Sequence, residues 1–393
     1  MLDPIINFVT QLFVWIGRGV GWVIGILLLP FLWAGRWYQQ RGWILRSVVG
    51  VALLALVALY GYFFWTTQRW TNFDPAYASA YGLSAQGTGG DAGQPVGQTV
   101  VPETGEAAPA AAAQAATGEG AARTCLRSET VRVTADLVDF NVNQNPWVSS
   151  MILYKLGLFG LDWDRTPFFD NKASFQRGVN QAARRTSTEL VEVLGRVRAT
   201  SSIDNDLQQA RGDLQFDEET WYLITTPPWL TTPTPAYYRN AITALRAFNT
   251  RLERCEAVFD ARADNLARFI DRVSNDLGAT AAILRDRSEN YNGGWFDTRA
   301  DDRYWFAYGQ LYGYNGVMHA AHADFRDVIA QRGLSQLWTR LESQLNRAGQ
   351  VQPAIISNGA EDSVFMPSHL ATMSAYVLQV GAILEEIRQV LDR

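Results

Sequence analysis

Three sets of residues in this 393-residue chain have the types and spacing to do chemistry. Asp162 and Asp164, in LDWDRTPFFD, offer the paired carboxylates of a glycan-cleaving or glycan-binding site, with Trp163, Phe168 and Phe169 as platforms for a sugar ring. The plainer expectation is a capped turn, with Asp164 or Asp170 paired to Arg165 or Lys172 and the rings packed inward. His319 and His322 (MHAAHADF) stand three apart on one helical face, a spacing that ligates a metal if Asp324 or His369 completes the set. Helical histidines without a fixed third ligand are expected to be structural, so neither a metal nor another cofactor is assigned. The third set is the cysteine pair, Cys125 and Cys255. An even count in an exported region favours a disulfide. By loop entropy such a bond is worth about 3–5 kcal/mol.

No catalytic signature accompanies them. The sequence has no G-x-x-x-x-G-K-[ST], G-x-S-x-G, H-E-x-x-H or C-x-x-C. Two cysteines exclude a disulfide scaffold, and 34 basic against 39 acidic side chains leave no footprint for nucleic acid. An enzyme is therefore not the leading expectation. In Trp305 to Gly316, bulky rings alternate with Gly309, Gly313 and Gly316, the pattern of a tight helix crossing.

The elements that must position these residues begin with a membrane anchor, residues 1–70. Seven of the 14 tryptophans fall in it. Residues 47–65 form an uncharged stretch long enough to cross a bilayer core, closed by Tyr60, Tyr62 and Trp65. Upstream, the apolar run from Ile5 to Gly35 is too long for one straight span. It divides into an amphipathic lead-in and a second membrane helix over 19–37, bent at Pro30. Gly17, Gly21 and Gly25 stand four apart on one face, where small residues let another helix approach closely. Arg36, Arg41 and Arg46 lie between the two segments without an acid. Positive-inside reasoning puts them in the cytoplasm and everything after Trp65 outside, which in a Gram-negative cell is the periplasm.

Residues 82–122 are Gly, Ala, Pro, Gln and Thr with scarcely a bulky apolar side chain, a flexible linker with a reach of roughly 35 Å. Residues 123–393 form the folded body. Val131, Val133, Ala135 and Leu137 alternate as in a short strand, and residues 213–235 are extended. Elsewhere helical periodicity dominates. From Tyr238 to Leu284 the apolar residues recur at three, four or seven, predicting one helix of about 45–50 residues with coiled-coil-like packing. Further helices are expected over 299–332, over 334–347 and from Ser368 onward. The fold class is mostly α: N-terminal membrane helices, a linker, and an elongated periplasmic bundle.

Several segments of the body resemble the bacterial, membrane-anchored domain-of-unknown-function 2333 family. They are NPWVSSM…LGLFGLDW (Asn145 to Trp163), LQFDEETWYL (Leu214 to Leu223), FDARADNLARFIDRV (Phe259 to Val273), and two C-terminal blocks, DDRYWFAYGQLYGYNGVMHAAHADF and ISNGAEDSVFMPSHLATMSAYVLQ. The resemblance implies a short cytoplasmic start, one span and a periplasmic helical domain, and it assigns no activity. The aromatic N-terminal segment and the long linker depart from that pattern. The function expected is that of an inner-membrane-anchored structural, assembly or partner-docking component. Its partners are the lipid bilayer and, through the membrane helices, a protein or a second copy of the chain.

Overall fold

The computed structural model describes residues 3–81, 125–158, 160–163, 166, 168–196, 202–225 and 228–393. The chain forms two compact units, Met1–Phe63 and Phe64–Arg393.

The first unit is built from α1 (Asp3–Gln39) and most of α2 (Trp43–Gln68). The expected division of α1 near Gly17 does not occur; one helix runs through the glycines and through Pro30. Glycine weakens a helix by about 1 kcal/mol, yet an apolar segment has no better place to satisfy its backbone than its own ladder. Arg46 closes the turn, donating to the carbonyls of Arg41 and Gln39 at 2.7 and 2.6 Å. Trp15, Trp22, Trp33 and Trp43 are all exposed, as are most apolar residues of α2. Helix α2 is long and apolar enough to cross a membrane, with 6% of its apolar window buried. His369–Leu391 passes the same test of length and composition but is 44% buried, as a core helix of the second unit.

The second unit begins with the last residues of α2 and a short turn of helix, α3 (Tyr77–Ala80). Helix α4 (Glu129–Asp139) stands where a strand was expected. Its Val131, Val133, Thr134, Ala135 and Leu137 are buried on more than one face, so their alternation carries no strand signal. A π-helical turn follows over Phe140–Gln144. Then come α5 (Ile152–Leu156), α6 (Asn171–Glu189) with a second π-helical turn at Leu190–Leu194, and α7 (Asn205–Leu214). The extended region holds a small hairpin, β1 (Leu223–Thr225) and β2 (Pro228–Leu230), pairing Leu223 with Leu230 and Ile224 with Trp229.

The single long helix expected from Tyr238 to Leu284 is instead two, α8 (Thr234–Glu253) and α9 (Ala263–Asn290). Leu252, Phe259 and Leu266 keep their spacing of seven and are all buried, but the chain turns between them. Cys255 takes a positive φ of 62°, and the Asp260 amide donates to the Leu194 carbonyl at 2.7 Å. Tertiary bonds at both ends of 254–262 thus override a helical pattern that contains no Gly or Pro. Helix α10 (Ala300–Asp324) likewise breaks at Phe325 before α11 (Arg326–Gln331). Helices α12 (Ser335–Gly349) and α13 (His369–Leu391) complete the bundle, α13 capped by the Ser368 hydroxyl.

Contacts along the helices define two ends. Helix α9 runs antiparallel to α13, since Ser288 bonds Ser368, Ser274 bonds Gly381 and Arg388 reaches Asp271. It also runs antiparallel to α10 (Asp276 to Gln310, Arg287 to Asp297) and to α6 (Arg272 to Glu189). The N-termini of α6, α10 and α13 therefore gather at one end with the C-terminus of α9. We call this end proximal because Phe64–Gln68 sits there, with Phe64 against Phe169 and Gln68 donating to the Phe168 carbonyl. The opposite, distal end holds the Cys125–Cys255 disulfide, whose Cα atoms are 5.6 Å apart, and the C-terminus of α10.

Candidate functional site: the socket for residues 64 to 81

The structure scatters most of the residues singled out by the sequence. Asp162 is exposed, and Asp164 lies outside the described residues. Trp163 is buried and donates its indole N–H to the Leu153 carbonyl at 2.6 Å, and Phe169 packs on it at 5.2 Å, so these rings are core. His319 hydrogen-bonds the Asn315 carbonyl through Nδ1, and His322 lies 2.7 Å from Glu342. Asp324 points elsewhere, accepting from the Ser128 hydroxyl and the Glu129 and Thr130 amides at the start of α4. His369 Nδ1 accepts the Ser357 amide. Among the described residues no three His, Cys, Asp or Glu come together as a metal site. Gly17, Gly21 and Gly25 are exposed, and a Cβ built on any of them would meet nothing within 4 Å.

The aromatic and glycine residues of α10 do converge. Gly178 of α6 and Gly309 of α10 bring two backbones together so closely that a Cβ on either would run into the other helix, at Phe306 O and Phe175 O respectively. A Cβ on Gly313 would lie 2.7 Å from Ala182 Cβ. One turn further along, the neighbour changes: a Cβ on Gly316 would strike the Tyr77 ring. Tyr77 stacks on Tyr312 at 4.2 Å, donates its hydroxyl to the Tyr312 carbonyl at 2.7 Å and accepts from the Gly316 amide at 3.1 Å. It bridges a rung of α10 that only glycine leaves open.

The rest of the segment is held as firmly. Trp70 packs on Phe175 at 4.8 Å and Trp305 at 5.4 Å, and Phe73 stacks on Tyr312 at 5.6 Å. Asn145 and Thr71 exchange two hydrogen bonds of 3.0 Å. At the start of the segment stands Lys172, one of two lysines in the chain and 2% exposed. Its ammonium donates to the carbonyls of Thr66 (3.0 Å) and Arg69 (2.7 Å). A helix ends with four carbonyls unpaired and a partial negative charge, so a buried cation there is a C-terminal cap for α2. Burial lowers the Lys172 pKa to about 8. The body was expected to begin at Arg123; its core in fact takes in residues 64–81. The expected linker, 82–122, falls outside the described residues.

Two other clusters border this framework. Asp170, at the start of α6, is buried with neither carboxylate oxygen bonded, and Asp301 Oδ2 is in the same state. Burial and the Asp302 charge raise both carboxyl pKa values, which keeps protons on this group. Asp302 itself accepts from Ser174 at 2.9 Å. Toward the distal end an open groove of about 820 Å3 is lined by Glu189, Glu192, Asp271, Arg272, Arg388 and others. Glu189 adjoins the π-helical turn and is 1% exposed; burial pushes its pKa up to about 7 against the pull of Arg272. A carboxyl titrating there can exchange a proton near neutrality. Its neighbour Arg388 is committed to Glu385 and Asp392.

Sequence reasoning missed Lys172 as a cap and Glu189 altogether. The rarity of lysine marked the first; Glu189 lies in the ordinary polar helix NKASFQRGVNQAARRTSTE and had no signal.

Residues 140–292, from the π-helical turn after α4 to just past α9, match a family described as an uncharacterized protein conserved in bacteria (DUF2333). The matched region includes Lys172, Gly178 and Glu189. No curated protein and no solved structure matches the chain.

Proposed function

We propose that this chain, with its DUF2333 region, is an inner-membrane-anchored component with a periplasmic helical bundle. Its membrane helices would assemble with a protein partner or with a second copy. One observation carries the reading. Gly17, Gly21 and Gly25 form a close-packing face that nothing in the described chain fills. Arginines 36, 41 and 46, at the end of α1, in the turn and in the first turn of α2, support a periplasmic bundle, as does a cysteine pair joined in a disulfide.

The test is purification of the full-length protein in mild detergent, with native mass spectrometry and identification of whatever co-purifies in stoichiometric amount. A defined oligomer or partner complex is expected, and Gly21→Leu with Gly25→Leu should dissolve it. A wild-type protein that is monomeric and alone, or an assembly indifferent to both substitutions, overturns the reading.

A further inference from the structure

Among the described residues of Phe64–Arg393, large apolar side chains that are more than half exposed lie at one end of the bundle. They fall in segments 156–161, 222–230, 291–296 and 355–365, together with Phe64 and Trp65. Each segment belongs to the proximal end. Residues 156–161 lead into Trp163 and Phe169, which pack beside Phe64. The hairpin precedes α8, whose first turns meet Trp147 and Asn143; Asn145, between them in sequence, bonds Thr71. The loops at 291–296 and 355–365 are tied to each other by paired backbone bonds between Gly294 and Asn358. They flank the N-termini of α10 and α13.

The exposures are extreme: Leu230 79%, Phe296 86%, Val364 88% and Phe365 82%. Soluble surfaces seldom gather such residues at loop tips, where nothing in the chain requires them. By contrast, Ile283 and Leu378, on the flanks of α9 and α13, are the most exposed large apolar residues elsewhere in the second unit, at 47% and 49%.

We propose that this end of the bundle rests in the lipid headgroup layer, with the tips at Leu230, Phe296 and Phe365 reaching the acyl boundary. The occupant is identified by continuity. The same end holds Phe64–Gln68, the last residues of the helix that reads as a membrane span, so the chain enters the body where the apolar tips lie. Trp229 and Trp295 add the residue type that favours a membrane–water interface. Helical anchors of this sort bury side chains about 5–10 Å into the boundary, a depth that loop-tip Phe and Leu can reach.

The inference rests on the reading of α2 as a span, and one experiment separates the two. Full-length protein carrying a photoreactive benzoylphenylalanine at position 230, 296 or 365 is reconstituted in vesicles of phosphatidylethanolamine and phosphatidylglycerol. Matched proteins carry it at 283 or 378. Lipid adducts at the three tips are expected to exceed those at the two flank positions by about fivefold or more, the contrast between a boundary-inserted and a water-facing side chain. Adducts at flank levels, or tips that crosslink to protein instead of lipid, overturn the footing while leaving the span intact. Release of the unlabelled protein from vesicles by alkaline carbonate would overturn the span itself.

Discussion

Two glycine-lined helix faces in this chain look alike on paper and behave differently. Gly17, Gly21 and Gly25 recur every four residues on α1; Gly309, Gly313 and Gly316 recur nearly so on α10. On α10 each glycine is filled, the first two by α6 and the third by Tyr77. On α1 none is. Small residues at helical spacing therefore announce a close approach without naming what approaches. In the body the visitor comes from the same chain, and in the anchor the place is open. On the proposed reading, the contrast separates positions where a side chain destroys the fold from positions where it would alter only association.

The largest effect should come from breaking the filled face. Gly309→Leu and the milder Gly178→Ala each push a side chain into the backbone of the opposite helix. Neither clash can be relieved by turning a flexible side chain, so we expect a loss of about 3 kcal/mol or more, and failure to fold for Gly309→Leu. Urea titration of the purified full-length protein, followed by helical circular dichroism, reads this directly. Native-like stability of Gly178→Ala would show that the two helices are not in contact at this crossing.

The disulfide comes next. Cys125→Ser opens a bond between residues 130 apart in sequence, and the loop-entropy argument assigns about 3–5 kcal/mol to it. Because the bond lies at the distal end, its loss should leave the Tyr77 and Lys172 contacts standing. Near-ultraviolet dichroism from the stacked rings around Tyr312 should persist below the shifted unfolding midpoint. Loss of that signal together with the disulfide would mean that the two ends do not hold independently.

How much of this was legible beforehand follows the same division. The apolar stretch of α2, the tight crossing marked by Gly309 and Gly313, and the helix that starts at Ser368 were readable because each depends on residues close in sequence. The break at Cys255 was not, since Leu252, Phe259 and Leu266 keep a seven-residue repeat straight through it. The turn is imposed from outside, by the Leu194 carbonyl and by Cys125. The false strand at Val131 to Leu137 has a related cause: a helix buried on several sides loses its 3.6-residue signature. The socket for residues 64–81 was hidden most completely, because its makers, Lys172, Phe175, Tyr312 and Gly316, lie about 100 to 240 residues further along.

A smaller effect reports on the socket through pH. Burial holds Lys172 near 8, below the ordinary lysine value of 10.5, so the folded protein releases this proton before the unfolded chain does. Stability contributed by that difference rises as pH climbs from about 8 toward 10.5. Glu189 acts oppositely. Its folded pKa of about 7 exceeds the ordinary 4.5, so its contribution declines as pH rises through that window. Lys172→Met should flatten the alkaline slope alone and Glu189→Gln the acid-to-neutral slope alone. If Lys172→Met leaves the alkaline slope unchanged, the lysine is not buried against α2.

The smallest effect on the body is expected at the open glycine face. Gly21→Leu with Gly25→Leu adds two side chains where nothing stands within 4 Å, so the unfolding midpoint of the bundle should stay within about 0.5 kcal/mol of wild type. The same pair should abolish the assembly proposed for the membrane helices, read by native mass spectrometry in mild detergent. The two outcomes are opposite to those for Gly309→Leu, where the fold fails before association can be asked about. If instead the α1 pair destabilises the bundle, α1 is packed on something in this chain. The two glycine faces would then differ only in which neighbour fills them.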